Sequence, residues 1–237
     1  MPGRKILIHG GGVMASQMQK SMGMSPLMIE GRRVTDEETL KVVTMVYAGW
    51  CNKHITALLQ AEGCNAIGLC GADGNVIKAS KRSPVFVETL KETVDYGFVG
   101  DVKAGSVNAG FICSLLDQGI VPIFNAINHD GEGNLLNTNA DTIASSVAIA
   151  IASATNGETE LIYCFEKDGV LYDKDDDSSV IAEIDRDRFE ELKAAGIVAD
   201  GMIPKLTNSF KAIDSGVSRV IIKHARNLLN DKGTTLK

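Results

Sequence analysis

The 237-residue chain has no C-x-x-C pair, no H-x-x-x-H pair, no apolar run long enough to span a bilayer and no excess of basic charge. Each absence removes a class of function. Four scattered histidines leave no paired imidazoles for a helix-borne metal site. Cys51, Cys64, Cys70, Cys113 and Cys164 are odd in number and lie in apolar segments such as "AIGLC" and "LIYCF". They read as buried free thiols in a reducing cytosol rather than a disulfide frame. The missing signal peptide points the same way, to a cytoplasmic protein. A net charge of −6 and a pI near 5.3 speak against a nucleic-acid surface. The acidic run Asp173–Asp177 lacks the glycine and closing glutamate of a calcium loop, so it reads as a solvated turn.

What the chain has is alternation. "KILIHG", "AIGLCG", "IVPIFNAI", "ELIYCF" and "RVIIK" read as short apolar strands, with helical patterns between them. Residues 36–61 open on acidic residues and carry a long apolar face. "NAGFICSLLDQG" closes on Gly119, as a helix does at its C-cap. "NADTIASSVAIAIASA" is apolar nearly all round and predicts a buried helix. "RDRFEELKAAG" and "PKLTNSFKAIDSG" also end on glycine, the second with Pro204 at its expected first position. Such alternation predicts a mainly parallel sheet covered on both faces, a three-layer αβα sandwich. Residues 71–103 and "INHDGEGNLLN" interrupt it as hairpins. The polar stretch 155–160 marks the expected boundary between lobes 1–156 and 157–237.

Three consecutive glycines, Gly10–Gly12, follow the first strand and precede a helix. Gly10, Gly12 and Ala15 satisfy the dinucleotide pattern G-x-G-x-x-A, with Glu30 at the ribose-binding distance and Arg32 and Arg33 beside it. The other reading is an anion cradle, in which bare backbone N–H groups at a helix N-terminus meet a charged ligand. Downstream residues favour the cradle. Asn137, Asn139 and Asp141 gather where a strand passes into the buried helix, as N-caps or as groups that orient a substrate. Lys205 opens another helix, where the dipole disfavours a cation unless a phosphate is near.

In this order and at these spacings, "HGGG" (9–12), "GRRVTD" (31–36), "YAGWCNKHI" (47–55), "NTNAD" (137–141), "GVLYD" (169–173) and "DGMIPK" (200–205) resemble the amino-acid kinase family, of carbamate kinase-like fold, and within it the branch acting on N-acyl-glutamates. The resemblance implies phosphorylation of the side-chain carboxylate of N-acetyl-L-glutamate, or a related N-acyl-glutamate, by ATP with Mg2+ in arginine biosynthesis. It assigns Gly11 and Gly12 to the substrate and the moving phosphoryl group, and Arg33 and Asn137 to the substrate. It makes Asp141 the organiser of the catalytic lysine and Lys205 the charge stabiliser. It places ATP along Glu166, Lys167, Asp168, Gly169, Val170 and Leu171 and along Ile197, Val198 and Ala199. The long helix resembles the family's dimerisation element and Trp50 lies on it, so a homodimer is expected, with no nucleic-acid or membrane partner. One departure stands out. The family's first strand, with a K-x-G-G turn and the helix after it, has no counterpart in these residues, so the fold is expected to be N-terminally truncated. That gap raises a non-catalytic ligand-binding homologue as the alternative, and an NADP oxidoreductase remains a more distant one.

Overall fold

The structure, a computed structural model, describes residues 3–155, 158–198 and 202–237. Several helices begin where the sequence supplies a side-chain cap. Helix α1 spans Gly12–Ser21. Helix α2, Glu37–Thr44, starts after Asp36, whose carboxylate accepts the Thr39 N–H at 2.7 Å, with Glu37 and Glu38 in the first turn. The chain then widens into a π-helical turn, Met45–Cys51, before α3, Asn52–Ala61. Residues 36–61 are thus two α-helices joined through a π turn rather than one regular helix. Helix α4, Ala109–Asp117, is capped by Asn108, which accepts the Phe111 N–H at 3.0 Å, and is closed by Gly119 at φ 71°. Helix α5 spans Ala140–Ala154 and carries no exposed residue before Ser153. Helix α6, Arg186–Ala194, is capped by Asp185. Helix α7 spans Met202–Asp214, so Pro204 lies within its first turn rather than at its start. That position still costs no hydrogen bond, because first-turn N–H groups have no intrahelical acceptor.

The chain divides into two compact units that meet inside α5, between Ile143 and Ala144. In the unit Arg4–Ile143, the strand Val121–Phe124 lies between Leu7–Ile8 and Ala66–Leu69, all parallel. Helices α3 and α4 pack on these strands. A second sheet runs Leu135–Asn137, Ile127–His129, Ile77–Lys81, Gly100–Val107, with antiparallel outer pairs and a parallel inner one. Its 127–137 hairpin and the pairing of 77–81 with 100–107 are the interruptions expected from "INHDGEGNLLN" and from residues 71–103. The hairpin Val85–Val87 with Glu92–Val94 carries a small core of its own, built on Val87, Val94, Tyr96 and Val99.

In the unit that begins at Ala144, Glu160–Phe165 pairs in parallel with Arg219–His224. Thr234–Leu236 then adds antiparallel, and Glu183–Ile184 parallel to that. Leu161, Ile184, Leu206, Phe210, Val220 and Ile222 form the centre of its core. The cysteines correct one expectation: all five are free, but none is buried, and Cys164 is exposed. Strand alternation is the reason. Leu161 and Tyr163 face the core, which turns Cys164 outward. The acidic run 173–177 is exposed throughout, as expected of a solvated turn.

Candidate active site

The glycine turn stands at the end of the Leu7–Ile8 strand, and Gly11 is the N-cap of α1. Tyr47, projecting from the π turn, closes against it. A Cβ on Gly11 would lie 2.7 Å from Tyr47 Cδ1 and 3.3 Å from Cys51 Sγ. Neighbouring Gly10 would bring its Cβ to 3.9 Å from that of Ala140, so the turn adjoins the start of α5 and with it Asp141. His9 bonds the Gly10 carbonyl through Nδ1 at 2.7 Å, and Asn52 Nδ2 meets His9 Nε2 at 3.1 Å.

Arg33 reaches the same turn from the hairpin Met28–Ile29/Arg32–Arg33. Arg33 is 6% exposed, and its guanidinium donates to the Gly12 carbonyl at 2.9 Å, to Ser16 Oγ at 2.8 Å and to Gln19 Oε1. Tyr47 links the two. Burial pushes its hydroxyl pKa up, and the adjacent Arg33 partly offsets that. The Thr35 hydroxyl donates to the Arg33 carbonyl at 3.1 Å and accepts from Asn137 Nδ2 at 3.0 Å. Gly11, Gly12, Arg33 and Asn137 are therefore joined through Tyr47 and Thr35. Asn139 caps α5, accepting the Thr142 N–H at 3.0 Å, and Asp141 sits half-buried in the first turn. His9, Tyr47 and Asn52 fall within "HGGG" and "YAGWCNKHI", but no pattern assigns a role to them or to Gln19; their roles arise from tertiary packing.

The second group lies in the unit that begins at Ala144. Lys205, in the first turn of α7, places Nζ 3.8 Å from the centre of the Phe165 ring. That contact holds a cation where the helix dipole opposes one. Glu166, Lys167 and Asp168 follow Phe165 and, with Asp177, His224 and Arg226, line a polar cavity of about 130 Å³. Asp168 is fixed by Asn227 Nδ2 at 2.8 Å. Gly169 is packed so closely that a Cβ would meet Thr234 Oγ1 at 2.6 Å. Val170 and Val198 are buried in the core and Ile197 packs against it, so what they offer a ligand is backbone. Leu171 bridges to Val180, and Ala199 lies outside the described residues.

These positions overturn the dinucleotide reading. Glu30 is an exposed turn residue at φ 47° between two antiparallel strands and accepts from Thr89 Oγ1 at 3.1 Å. A ribose-binding acid would end a strand parallel to the first, but Leu7–Ile8 pairs with Val121–Phe124. Arg33 is committed to α1 and is not free to hold a 2′-phosphate.

Parallel strands with helices packed on them, and a glycine turn leading from the first strand into α1, define a mixed α/β protein. The chain belongs to the amino acid kinase family, whose sequence model matches residues 3–224. It is 54% identical, over 99% of its length and 87% of the relative's, to a protein named acetylglutamate kinase from Phocaeicola vulgatus. Among solved structures it resembles smu.665 from Streptococcus mutans UA159, at TM-score 0.77 and 26% identity, covering 98% of this chain and 85% of that one. Carbamate kinase from Giardia shares the fold, at TM-score 0.56 and 16% identity over 95% of this chain and 79% of that one.

Proposed function

We propose that this chain phosphorylates the side-chain carboxylate of N-acetyl-L-glutamate, or a closely related N-acyl-glutamate, with ATP as donor, in the cytoplasm as a step of arginine biosynthesis. The observation that carries this reading is 54% identity over nearly the whole chain to a protein named for that activity. The site chemistry supports it. A carboxylate is already an anionic nucleophile, so attack of its oxygen on the γ-phosphorus needs no general base. The bond from the γ-phosphorus to the bridging oxygen breaks, and the products are an acyl phosphate and ADP. What the protein must supply is position and positive charge.

The unit Arg4–Ile143 takes the acyl-glutamate. Gly11 and Gly12 offer backbone N–H groups, and Arg33 and Asn137 set the wall beside them. The unit beginning at Ala144 takes ATP along Glu166–Leu171 and the backbone of Ile197–Ala199. There Lys167 and Arg226 line the small cavity together with Glu166, Asp168 and Asp177, and Lys167 is ion-paired to Asp177. Lys205 stabilises charge on the phosphoryl group in the transition state, and Asp141 orders the catalytic cation. Among the described residues no group of three or more His, Cys, Asp or Glu could hold a metal ion. Magnesium would enter on the nucleotide, where it would neutralise phosphate charge. The chain also pairs as a homodimer through the α2–α3 face, where Trp50 is 61% exposed and stacks on His54, one turn before exposed Leu58. Light scattering at micromolar concentration tests that, and a monomer would contradict it.

The defining experiment traps the product. Hydroxylamine converts an acyl phosphate to a hydroxamate, so incubation with MgATP, N-acetyl-L-glutamate and hydroxylamine should give the glutamyl hydroxamate. Nucleotide binding without hydroxamate would favour a non-catalytic homologue.

A further inference from the structure

His9 precedes the glycine turn and makes two hydrogen bonds that together fix its protonation. Its Nδ1 lies 2.7 Å from the Gly10 carbonyl oxygen, which only accepts, so Nδ1 carries the proton. Its Nε2 faces Asn52 Nδ2 at 3.1 Å. The Asn52 amide is oriented by its other partners. Nδ2 donates to the Ile123 carbonyl at 3.0 Å, and Oδ1 accepts from Lys53 Nζ at 3.2 Å. Turning that amide over would set oxygen against the Ile123 carbonyl and NH2 against an ammonium. Asn52 therefore donates to His9, and His9 Nε2 is an acceptor without a proton.

The consequence reaches Gly11. In a trans peptide the carbonyl of one residue and the N–H of the next point in opposite directions. Holding the Gly10 carbonyl on the His9 side therefore turns the Gly11 N–H to the opposite side of the Gly10–Gly11 chain axis, within the peptide plane. We propose that His9, as the neutral Nδ1–H tautomer held by Asn52, is a positioning residue that aims the Gly11 N–H at the substrate. The proposal deepens the kinase reading and rests on it.

The surroundings agree. Burial lowers the His9 pKa below its ordinary 6.5, although the bond to Gly10 works the other way. The Lys53 ammonium of α3 meets the pair at Asn52 Oδ1 and also donates to the Gly68 carbonyl at 2.6 Å, Arg33 donates to the Gly12 carbonyl, and Asp141 lies in the first turn of α5, which adjoins Gly10. The strands Ala66–Leu69 and Val121–Phe124 contribute no titratable side chain. The thiol of Cys51 and the hydroxyl of Tyr47, which flank the glycine turn, are both held neutral by raised pKa values. Protonating His9 would set an N–H against the Asn52 NH2, donor against donor. The clamp is therefore complete above pH 6.5 and is lost as pH falls through the lowered native pKa.

The test reads the tautomer directly. In 15N spectra of the full chain at pH 7.5, with His9→Asn as the assignment control, His9 should show a protonated Nδ1 and a bare Nε2. An Nε2–H tautomer or a cation would overturn the proposal. In ADP-release assays His9→Asn keeps a donor at the Nδ1 position and removes the titration. It should hold kcat within about threefold and flatten the acid limb of the pH profile. His9→Phe removes the donor and should lower kcat by about tenfold or more, with the KM for ATP unchanged and a melting point like that of His9→Asn. Equal kinetics in His9→Phe and wild type, or an acid limb kept in His9→Asn, would also overturn it. If wild type releases no ADP, the kinase reading fails, and the spectrum still decides whether His9 holds the clamp.

Discussion

Gly11→Ala is the sharpest perturbation the structure offers. Gly11 has φ 165° and ψ 17°, outside the left-handed region, and its close neighbours decide what alanine would meet there. The cost is steric. The new methyl would lie 2.7 Å from Tyr47 Cδ1, 3.0 Å from Cε1 and 3.3 Å from Cys51 Sγ. Tyr47 is only 5% exposed and has no free volume to retreat into, so the turn itself must shift. Overpacking of this kind costs about 1–3 kcal/mol, which for a chain of this size is a fall in Tm of about 3–10 °C. A turn displaced by a few tenths of an ångström also misaims its N–H groups, and kcat should fall by roughly tenfold to a hundredfold. Gly12→Ala is the control. Its methyl would meet only Tyr47 Oη, at 4.0 Å, and Gly12 opens α1, so the Tm should stay within about 2 °C. The KM for acyl-glutamate should nonetheless rise, because a ligand approaching the backbone meets that methyl. Thermal unfolding and steady-state ADP release on both variants read these effects. Wild-type Tm and kinetics in Gly11→Ala would refute the packing described around the turn.

Three further outcomes are expected. Lys205→Ala should lower kcat by about a hundredfold or more with little change in either KM, and should cost about 0.5–1 kcal/mol of stability through the lost Phe165 contact. Steady-state kinetics and melting of one preparation check both. Arg33→Ala should raise the KM for acyl-glutamate and also lower the Tm. It strips partners from buried Gln19 and from Ser16, at about 2–4 kcal/mol. Asp36→Ala should destabilise by about 1 kcal/mol at pH 7 through loss of the α2 cap. Its hydrogen bonds to Thr39 hold the Asp36 carboxyl below its ordinary range, so the cap is present above pH 3.8. The gap between wild type and variant should therefore close as pH falls through the native pKa, in melting curves across the acid range.

Much of this architecture is local and was legible in the sequence. Asp36, Asn108 and Asp185 announce helices because a side-chain oxygen caps N–H groups two or three residues on, and each does so here. The apolar runs became strands for an equally local reason, burial on a pleated surface. What escaped the sequence is set by distant residues. "MVYAGWC" fits ordinary helical periodicity, and nothing within it marks the π turn that carries Tyr47 to Gly11. Apolar neighbours make Cys164 read as buried, although strand alternation decides its side. The glycine motif and Arg33 were found by pattern. The Gln19, Thr35 and Asn52 bonds that organise them join residues 14, 102 and 43 positions apart in the chain.

The central claim is that the glycine turn and its partners serve phosphoryl transfer to an acyl-glutamate carboxylate. The most direct measurement is ADP release by the purified 237-residue chain with MgATP, with and without N-acetyl-L-glutamate. The expected result is release that depends on the acyl-glutamate and saturates with it. A folded chain that binds both ligands and releases no ADP would contradict it.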